Sequence, residues 1–285
     1  MINQLVFSAG IVLFAVLLYK LVFFLYPYIH PSRIKNYLSP DAFAVISGST
    51  DGIGKALALE LAAKGFNVVL HGRNQEKLQA VEMEIKTKHP ERKTISLLHD
   101  GSKNSRLDIS IIKNLPITVL VNNVGVGPIN ELGRFTENEI DETILLNTAF
   151  PAQLTRSLLP FMKKKSLILN VSSYAGIIPP PYLAVYAGTK AFNNAFSKSL
   201  SRELPDKEVI SLITGSVHSN ANNKPVTMMR PASETYARAV LGIVGCGRKS
   251  IMPYFPQALQ TIFMTILPEW LIDVVIKSAM LKEME

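Results

Sequence analysis

An apolar run, Ala42–Ser47, leads without a break into Ser47-Gly48-Ser49-Thr50-Asp51-Gly52-Ile53-Gly54, and from there into the helical period of Ile53–Lys64. This junction constrains the fold more than any other stretch. Glycines lack Cβ, so a chain built this way can turn tightly and bring its backbone against a ligand. The N-terminus of the helix that follows attracts a pyrophosphate. A lone glycine cluster is an ordinary turn as often as a cradle. At a strand-to-helix junction heading a β-α-β series, it predicts dinucleotide binding through Gly48, Ser49, Thr50, Asp51, Gly52, Ile53 and Gly54.

The series continues. Strands are expected at Asn67–His71, Thr94–His99, Ile117–Val121, Ser166–Val171 and Val209–Ile213, with Ile251-Met252-Pro253 as a final one. Helices are expected at Gln75–Lys88, over one long stretch at Glu137–Met162, and at Tyr182–Leu204. Short apolar runs alternating with amphipathic helices define an α/β chain with a Rossmann-type, doubly wound parallel sheet. Residues 40–255 form that single domain.

The ends differ from the middle. Ile2–Tyr19 carries no charge, Lys20 interrupts once, and Leu21–Ile29 is apolar again, which is enough length to cross a bilayer. No basic segment precedes this stretch and no clean small-residue cleavage site follows, which disfavours a secretory signal. Residues 1–35 are therefore expected to be a membrane anchor, as a transmembrane helix or as a hairpin or interfacial helix ended by Pro27 and Pro31. Arg33 and Lys35 follow it, and the positive-inside rule puts the rest of the chain in the cytosol. Residues 256–285 hold two further apolar runs, Ala258–Leu267 and Leu271–Met280, each short for a span. They are read as a hydrophobic C-terminal extension facing a membrane or a dimer partner.

A net charge of +8 raises the question of nucleic acid, but the cations are scattered and no aromatic-interleaved motif accompanies them. The longest run, Lys163–Lys165, reads as a solvated helix end. Attraction to phosphates of lipid or cofactor suffices. The single cysteine, Cys246, excludes an internal disulfide, and no Cys/His cluster suggests zinc.

Chemistry is expected at the carboxyl ends of the strands. After the second strand, Leu70-His71-Gly72-Arg73 offers no acidic side chain for ribose hydroxyls, whereas Arg73 suits a 2′-phosphate, so NADP(H) is favoured over NAD. Asp100, at the end of the third strand, is placed to meet the adenine edge. Asn122-Asn123-Val124-Gly125 closes the fourth strand at the ligand crevice. Asn147 lies inside the long helix, a poor choice on propensity alone. Ser173 ends the fifth strand, and Tyr186 and Lys190 follow it by thirteen and seventeen residues. With 9 tyrosines in the chain, a Y-x-x-x-K spacing arises by chance at roughly even odds. Its weight comes from its neighbours. A free phenol of pKa about 10 is a poor acid near neutrality, and a nearby ammonium is expected to lower it.

Taken together, these motifs resemble the short-chain dehydrogenase/reductases over residues 40–255. Within that family the chain looks most like the membrane-bound fungal very-long-chain 3-oxoacyl-CoA reductases and related 17-beta-hydroxysteroid dehydrogenases. S-G-S-T-D-G-I-G-K, P-I-T-V-L-V-N-N-V-G, Y-A-G-T-K and the hydrophobic leader carry that closer match. The resemblance implies Tyr186 as proton donor, with Lys190 lowering its pKa and binding the nicotinamide ribose. It implies that Ser173 polarises the carbonyl and that Asn147 holds a water in a proton relay. Asn123 and Gly125 would line the cofactor site, Asp100 and Asp108 its adenosine end, and Val217 and Ser219 the nicotinamide amide. A lipophilic substrate, a homodimer and an endoplasmic reticulum membrane are further implications. Departures exist: Ser47 replaces the usual threonine, Thr214–Ser219 lacks the common Pro-Gly, and Pro179–Pro181 stiffens the loop before Tyr186. The rival reading from another class is a catalytically silent NADP-binding scaffold. A weaker rival is an NAD-dependent alcohol dehydrogenase.

Overall fold

The computed structural model describes residues 2–103 and 106–284. Met1 of the expected anchor and Glu285 of the expected extension lie outside the described residues. Seven strands form one parallel sheet: β1 (Phe43–Ser47), β2 (Asn67–Gly72), β3 (Thr94–Leu98), β4 (Ile117–Asn122), β5 (Met162–Ser173), β6 (Lys207–Thr214) and β7 (Ser250–Ile251). Their order is β3-β2-β1-β4-β5-β6-β7. The chain therefore runs outward from β1 to one edge, returns, and runs outward again from β4. The reversal leaves a crevice beyond the carboxyl ends of β1 and β4, the place where sheets of this kind bind ligands.

Both faces of the sheet are covered, which is why its strands are continuously apolar. On one face lie α2 (Gly52–Ala63), α3 (Gln75–Lys88) and α7 (Ser233–Gly242). On the other lie α5 (Phe150–Leu158) and α6 (Ala184–Glu203). Alternate residues of β1 feed opposite cores. Ala44 and Ile46 pack with Leu57, Leu61 and Tyr236, whereas Phe43 and Val45 pack with Leu154, Leu158 and Leu200.

Two expectations are corrected, and one helix is added. The single long helix over Glu137–Met162 is α4 (Glu137–Ile144), a π-helical turn at Leu145–Ala149, and α5, which ends at Leu158. Thr136 caps α4 through a full capping box with Glu139. Lys163–Lys165 is not a helix end: the three lysines form the exposed start of β5, which begins four residues earlier than expected. The helix α7 was not anticipated at all.

The N-terminal helix α1 (Ile2–Ile29) is one element with Pro27 inside it, so that proline does not end it. Its segment Val6–Ile29 has a mean hydropathy of 2.3 and at about 36 Å is long enough to cross a bilayer. Beyond it, Ile34 and Tyr37 already belong to the main core, and Tyr37 Oη donates to Glu208 Oε2 at 2.5 Å. The chain ends in α8 (Phe255–Ile266) and α9 (Glu269–Met284). Ala258 and Met280 are buried, so these two helices are packed on the domain at those points.

Candidate active site

The glycine turn is built as the sequence leads one to expect. Gly48 and Gly52 have φ of 65° and 52°, backbone that L side chains rarely adopt. Gly54 is fixed by space: a Cβ there would sit 2.1 Å from the Gly48 carbonyl oxygen and 2.4 Å from Asn123 Nδ2. Asn123 Nδ2 donates to the carbonyls of Ser47 and Gly48, both at 3.1 Å, which ties the end of β4 to the turn. Ser47 Oγ accepts from the N–H groups of Asn123 and Val124 at 3.0 and 3.2 Å. The hydroxyl retained at position 47 is thus the stitch between β1 and β4. Ser49 donates its N–H to the His71 carbonyl at 3.0 Å, and Thr50 lies against Gly72, where a Cβ would meet Thr50 Cγ2 at 2.6 Å. Asp51 stands at the N-cap of α2 with its side chain making no capping bond, and Ile53 packs on the main core.

His71 was not anticipated. It is buried in a stack with Phe150 and His99, and burial, with the His99 charge second, holds its pKa down at about 4. A neutral ring keeps Nδ1 available, 3.5 Å from the Gly48 N–H.

Arg73 and Asp100 meet beyond the ends of β2 and β3, with Nη1 and Oδ2 3.8 Å apart. Asp100 Oδ1 accepts from Ser102 N–H at 3.0 Å and Ser102 Oγ at 2.8 Å. Burial opposes ionisation of Asp100, but these bonds and Arg73 together pull its pKa below the usual value. Asp108 stands in an exposed turn, where its carboxylate accepts from Ser110 N–H and Oγ at 2.8 and 3.0 Å. None of these bonds links it to the other candidates. Ser219 reaches the glycine turn from the loop after β6: a Cβ on Gly52 would lie 2.9 Å from Ser219 Cβ. Val217 is buried in the main core.

Tyr186 and Lys190 lie on α6 one turn apart, and Lys190 Nζ is 5.6 Å from the centre of the Tyr186 ring. Lys190 is buried. Its Nζ donates to the Val171 carbonyl at 2.9 Å, and burial lowers its pKa to about 8. For Tyr186, burial raises the phenol pKa, and the Ser173 hydrogen bond partly opposes this. Desolvation is the largest influence on the phenol, with the Ser173 hydrogen bond acting against it.

Asn147 sits in the π turn. Such a turn frees a backbone carbonyl from the helical ladder, and here Asn193 Nδ2 donates to that Asn147 carbonyl at 2.9 Å. The Asn147 side chain pins the loop after β4: Oδ1 accepts from Val126 N–H at 2.9 Å, and Nδ2 donates to the Val126 carbonyl at 2.8 Å and to Thr189 Oγ1 at 3.0 Å. Thr189 Oγ1 in turn donates to the Tyr186 carbonyl at 2.7 Å. Gly125 lies so close that a Cβ would be 3.1 Å from Lys190 Nζ and 3.2 Å from Asn147 Oδ1. A Cβ on Gly127 would strike the Tyr186 ring at 2.8 Å. Asn193 and Gly127 carry no motif, and Thr189 lies inside Y-A-G-T-K without having been singled out; the packing of α6 on the π turn and the loop after β4 reveals all three.

Glycine turn, Asn123, Ser173, Tyr186 and Lys190 thus surround the carboxyl end of the sheet at the strand-order reversal. Surface clefts also occur elsewhere, one beside Tyr37, Pro116, Lys163 and Lys165. That cleft opens at the amino ends of β4 and β5, away from this chemistry.

Residues 42–229 match the model of the short chain dehydrogenase family. The chain is 32% identical over 256 residues to a very-long-chain 3-oxoacyl-CoA reductase of Neurospora crassa, covering 85% of this chain and 75% of that protein. To the protein of that name from Scheffersomyces stipitis it is 35% identical over 239 residues, covering 77% and 68%. Among solved structures it resembles a short-chain dehydrogenase of Sphingobium yanoikuyae in complex with NADPH. There the TM-score is 0.64 at 20% identity, with 80% of this chain and 97% of that one covered. A bulky-bulky ketone specific alcohol dehydrogenase of Comamonas testosteroni gives 0.63 at 22% identity, covering 80% and 95%. The chain belongs to the short-chain dehydrogenase family. It is accordingly an oxidoreductase acting on ketone or hydroxyl groups.

Proposed function

We propose that this oxidoreductase is a membrane-anchored ketoreductase that uses NADPH to reduce a lipophilic 3-oxoacyl-CoA-like ketone. The observation that carries this reading is the convergence of Ser173, Tyr186 and Lys190 beside the glycine turn, in a family whose relatives of 32–35% identity include very-long-chain 3-oxoacyl-CoA reductases. The residues fit the cofactor. Gly48, Gly52 and Gly54 leave a backbone with no Cβ in the way, the α2 N-terminus faces it, and Ser219 brackets it from the other side. NADPH, when bound, supplies the hydride. Tyr186 gives its proton to the carbonyl oxygen, Ser173 donates a hydrogen bond to the same atom, and Lys190 offsets the negative charge left on the phenol. A buried phenol with a raised pKa holds its proton at neutral pH, and the negative charge that builds on the carbonyl oxygen as hydride arrives draws the proton across.

Arg73 is mostly exposed, and its pairing with Asp100 at 3.8 Å is long, so little holds it back from a 2′-phosphate. Arg73→Ala is expected to raise KM for NADPH roughly 10- to 150-fold, the range of a lost charged hydrogen bond, and to leave KM for NADH nearly unchanged. Steady-state kinetics with both nucleotides checks this.

The pH dependence follows from Lys190. Its pKa of about 8 means the ammonium is present below that pH and lost above it, while Tyr186 keeps its proton to higher pH. Reduction is therefore expected to decline as pH rises through about 8. A kcat profile that stays flat from pH 7 to 10 would remove Lys190 from the charge-balancing role.

The anchor reading divides the chain into α1 with its flank (residues 1–35), the reductase unit (40–255) and α8–α9 (256–285). Arg33 and Lys35 put the reductase unit on the cytosolic side, and we place the protein in the endoplasmic reticulum membrane. The decisive experiment is NADPH oxidation by the full-length protein with long-chain 3-oxoacyl-CoA and bulky cyclic ketones. Nucleotide binding with no turnover on any ketone would favour the silent scaffold. Turnover confined to the cyclic ketones would favour a steroid- or terpenoid-type substrate.

A further inference from the structure

The C-terminal helices present apolar side chains on the wrong side for a soluble domain. On α8, Phe255, Leu259 and Phe263 are exposed at i, i+4 and i+8, whereas Gln257 on the opposite face and Ala258 beside the stripe are buried. On α9, Ile272, Ile276 and Met280 form the more covered face, and yet Trp270, Val274 and Leu281 on the other are also apolar and exposed. Exposed Asp273 and Lys277 stand beside the Trp270 and Val274 face of α9, so apolar and charged side chains share the outward surface. Phe263 is 63% exposed and Trp270 68%.

The α8 stripe begins where α1 ends. The Phe255 ring lies 5.1 Å from that of Tyr28 and 6.0 Å from that of Phe24. The Arg248 guanidinium stacks on the Phe23 ring and donates to the Phe23 carbonyl. Arg33, Lys35 and Lys249 are exposed in the segments adjoining this junction, and Arg33 N–H donates to the Val244 carbonyl. Aromatic rings capped by cations at the end of an apolar helix mark a headgroup level.

We propose that the outward stripe of α8, with the Trp270 end of α9, rests in the headgroup region of the same bilayer that α1 enters. This rests on the reading of α1 as a membrane helix. Three features favour lipid over a second copy of the chain. The stripe is continuous with α1, and the flanking charge complements phosphate. Its three side chains also present roughly 300 Å², well below the about 800 Å² per partner of a stable interface. The contact bears on the site, because Gln257 on the inward face donates to the carbonyls of Ser216 and Met229 at 2.7 and 3.0 Å. Arg230 and Lys224 of the same loop pair with Glu283 of α9 at 2.8 and 3.3 Å. Helices lying on the bilayer thus hold the loop after β6, whose Ser219 lies against the glycine turn.

The chain contains 1 tryptophan, which makes the test direct. Full-length protein is placed in nanodiscs of phosphatidylcholine with phosphatidylserine, made with or without dibrominated acyl chains, and emission is read from Trp270. The same reading is taken from a Trp270→Phe/Phe263→Trp double variant whose NADPH turnover is intact. Both are expected to show blue-shifted emission, of which brominated lipid removes about half, as befits an interfacial helix roughly 5–10 Å deep. Water-like, unquenched emission from protein that sits in the disc would overturn the proposal. Blue-shifted but unquenched emission would also overturn it, in favour of burial by protein. Failure of the α1 reading shows separately, as protein that does not co-elute with the discs.

Discussion

Tyr186→Phe is expected to cut ketone reduction by about 10²–10⁴-fold, the range associated with a positioned acid, and to leave NADPH affinity within about twofold. The two halves of this expectation have different physical roots. Turnover falls because the phenol hydroxyl is the proton source, and removing it leaves Ser173 without a partner that can donate to the carbonyl oxygen. Binding persists because the cradle is made by Gly48–Gly54, Asn123 and Ser219, none of which leans on that hydroxyl. The phenylalanine ring also keeps its packing against Gly127, so the loop after β4 stays in place. Single-turnover reduction and nucleotide fluorescence, measured on the same preparation, separate the two effects. Turnover at the wild-type rate would remove Tyr186 from the reaction. Loss of binding together with turnover would instead make it part of the cradle.

The sheet was readable because its strands are buried on both faces and so appear as uninterrupted apolar runs between turn signals. Gln75–Lys88 was read to the residue, and in the structure Asn74 caps it by accepting from the Lys77 N–H. Glu137–Met162 was misread because its composition is helical almost throughout. A π turn shifts the period by one residue without changing residue types, so nothing local marks it. Lys163–Lys165 misled for a related reason: charge argued for a helix end, but an overhanging strand start is solvated as readily. In the site, the glycines, Tyr186, Lys190 and Ser173, which the structure brings together, were singled out by residue type and spacing. Those acting through a tertiary partner were not. The bonds by which the Asn147 side chain fastens Val126 and Thr189 leave no local trace in the sequence. The desolvation of the Tyr186 phenol was not legible, because spacing reports proximity and says nothing of burial.

Gly54→Ala should abolish useful cofactor binding while the protein remains folded. The added Cβ would lie 2.1 Å from the Gly48 carbonyl oxygen, a backbone atom that cannot swing aside as a side chain can. The turn must move, and Asn123, which holds that carbonyl at 3.1 Å, moves with it. Overpacking of this kind costs about 1–3 kcal/mol of stability, or a melting temperature lower by roughly 2–12 °C for a domain of this size. The same displacement spoils every backbone contact to a pyrophosphate, so NADPH affinity is expected to fall at least about 100-fold, close to 3 kcal/mol. Titration of nucleotide fluorescence, with circular dichroism to confirm the fold, reads both. Gly188→Ala is the matched control. Gly188 lies on α6 between Tyr186 and Lys190, but an added Cβ there meets nothing within 4 Å. In mid-helix that exchange should stabilise by about 0.5–1 kcal/mol and leave nucleotide binding unchanged. Equal losses of affinity in the two variants would mean that the nucleotide does not sit on the glycine turn.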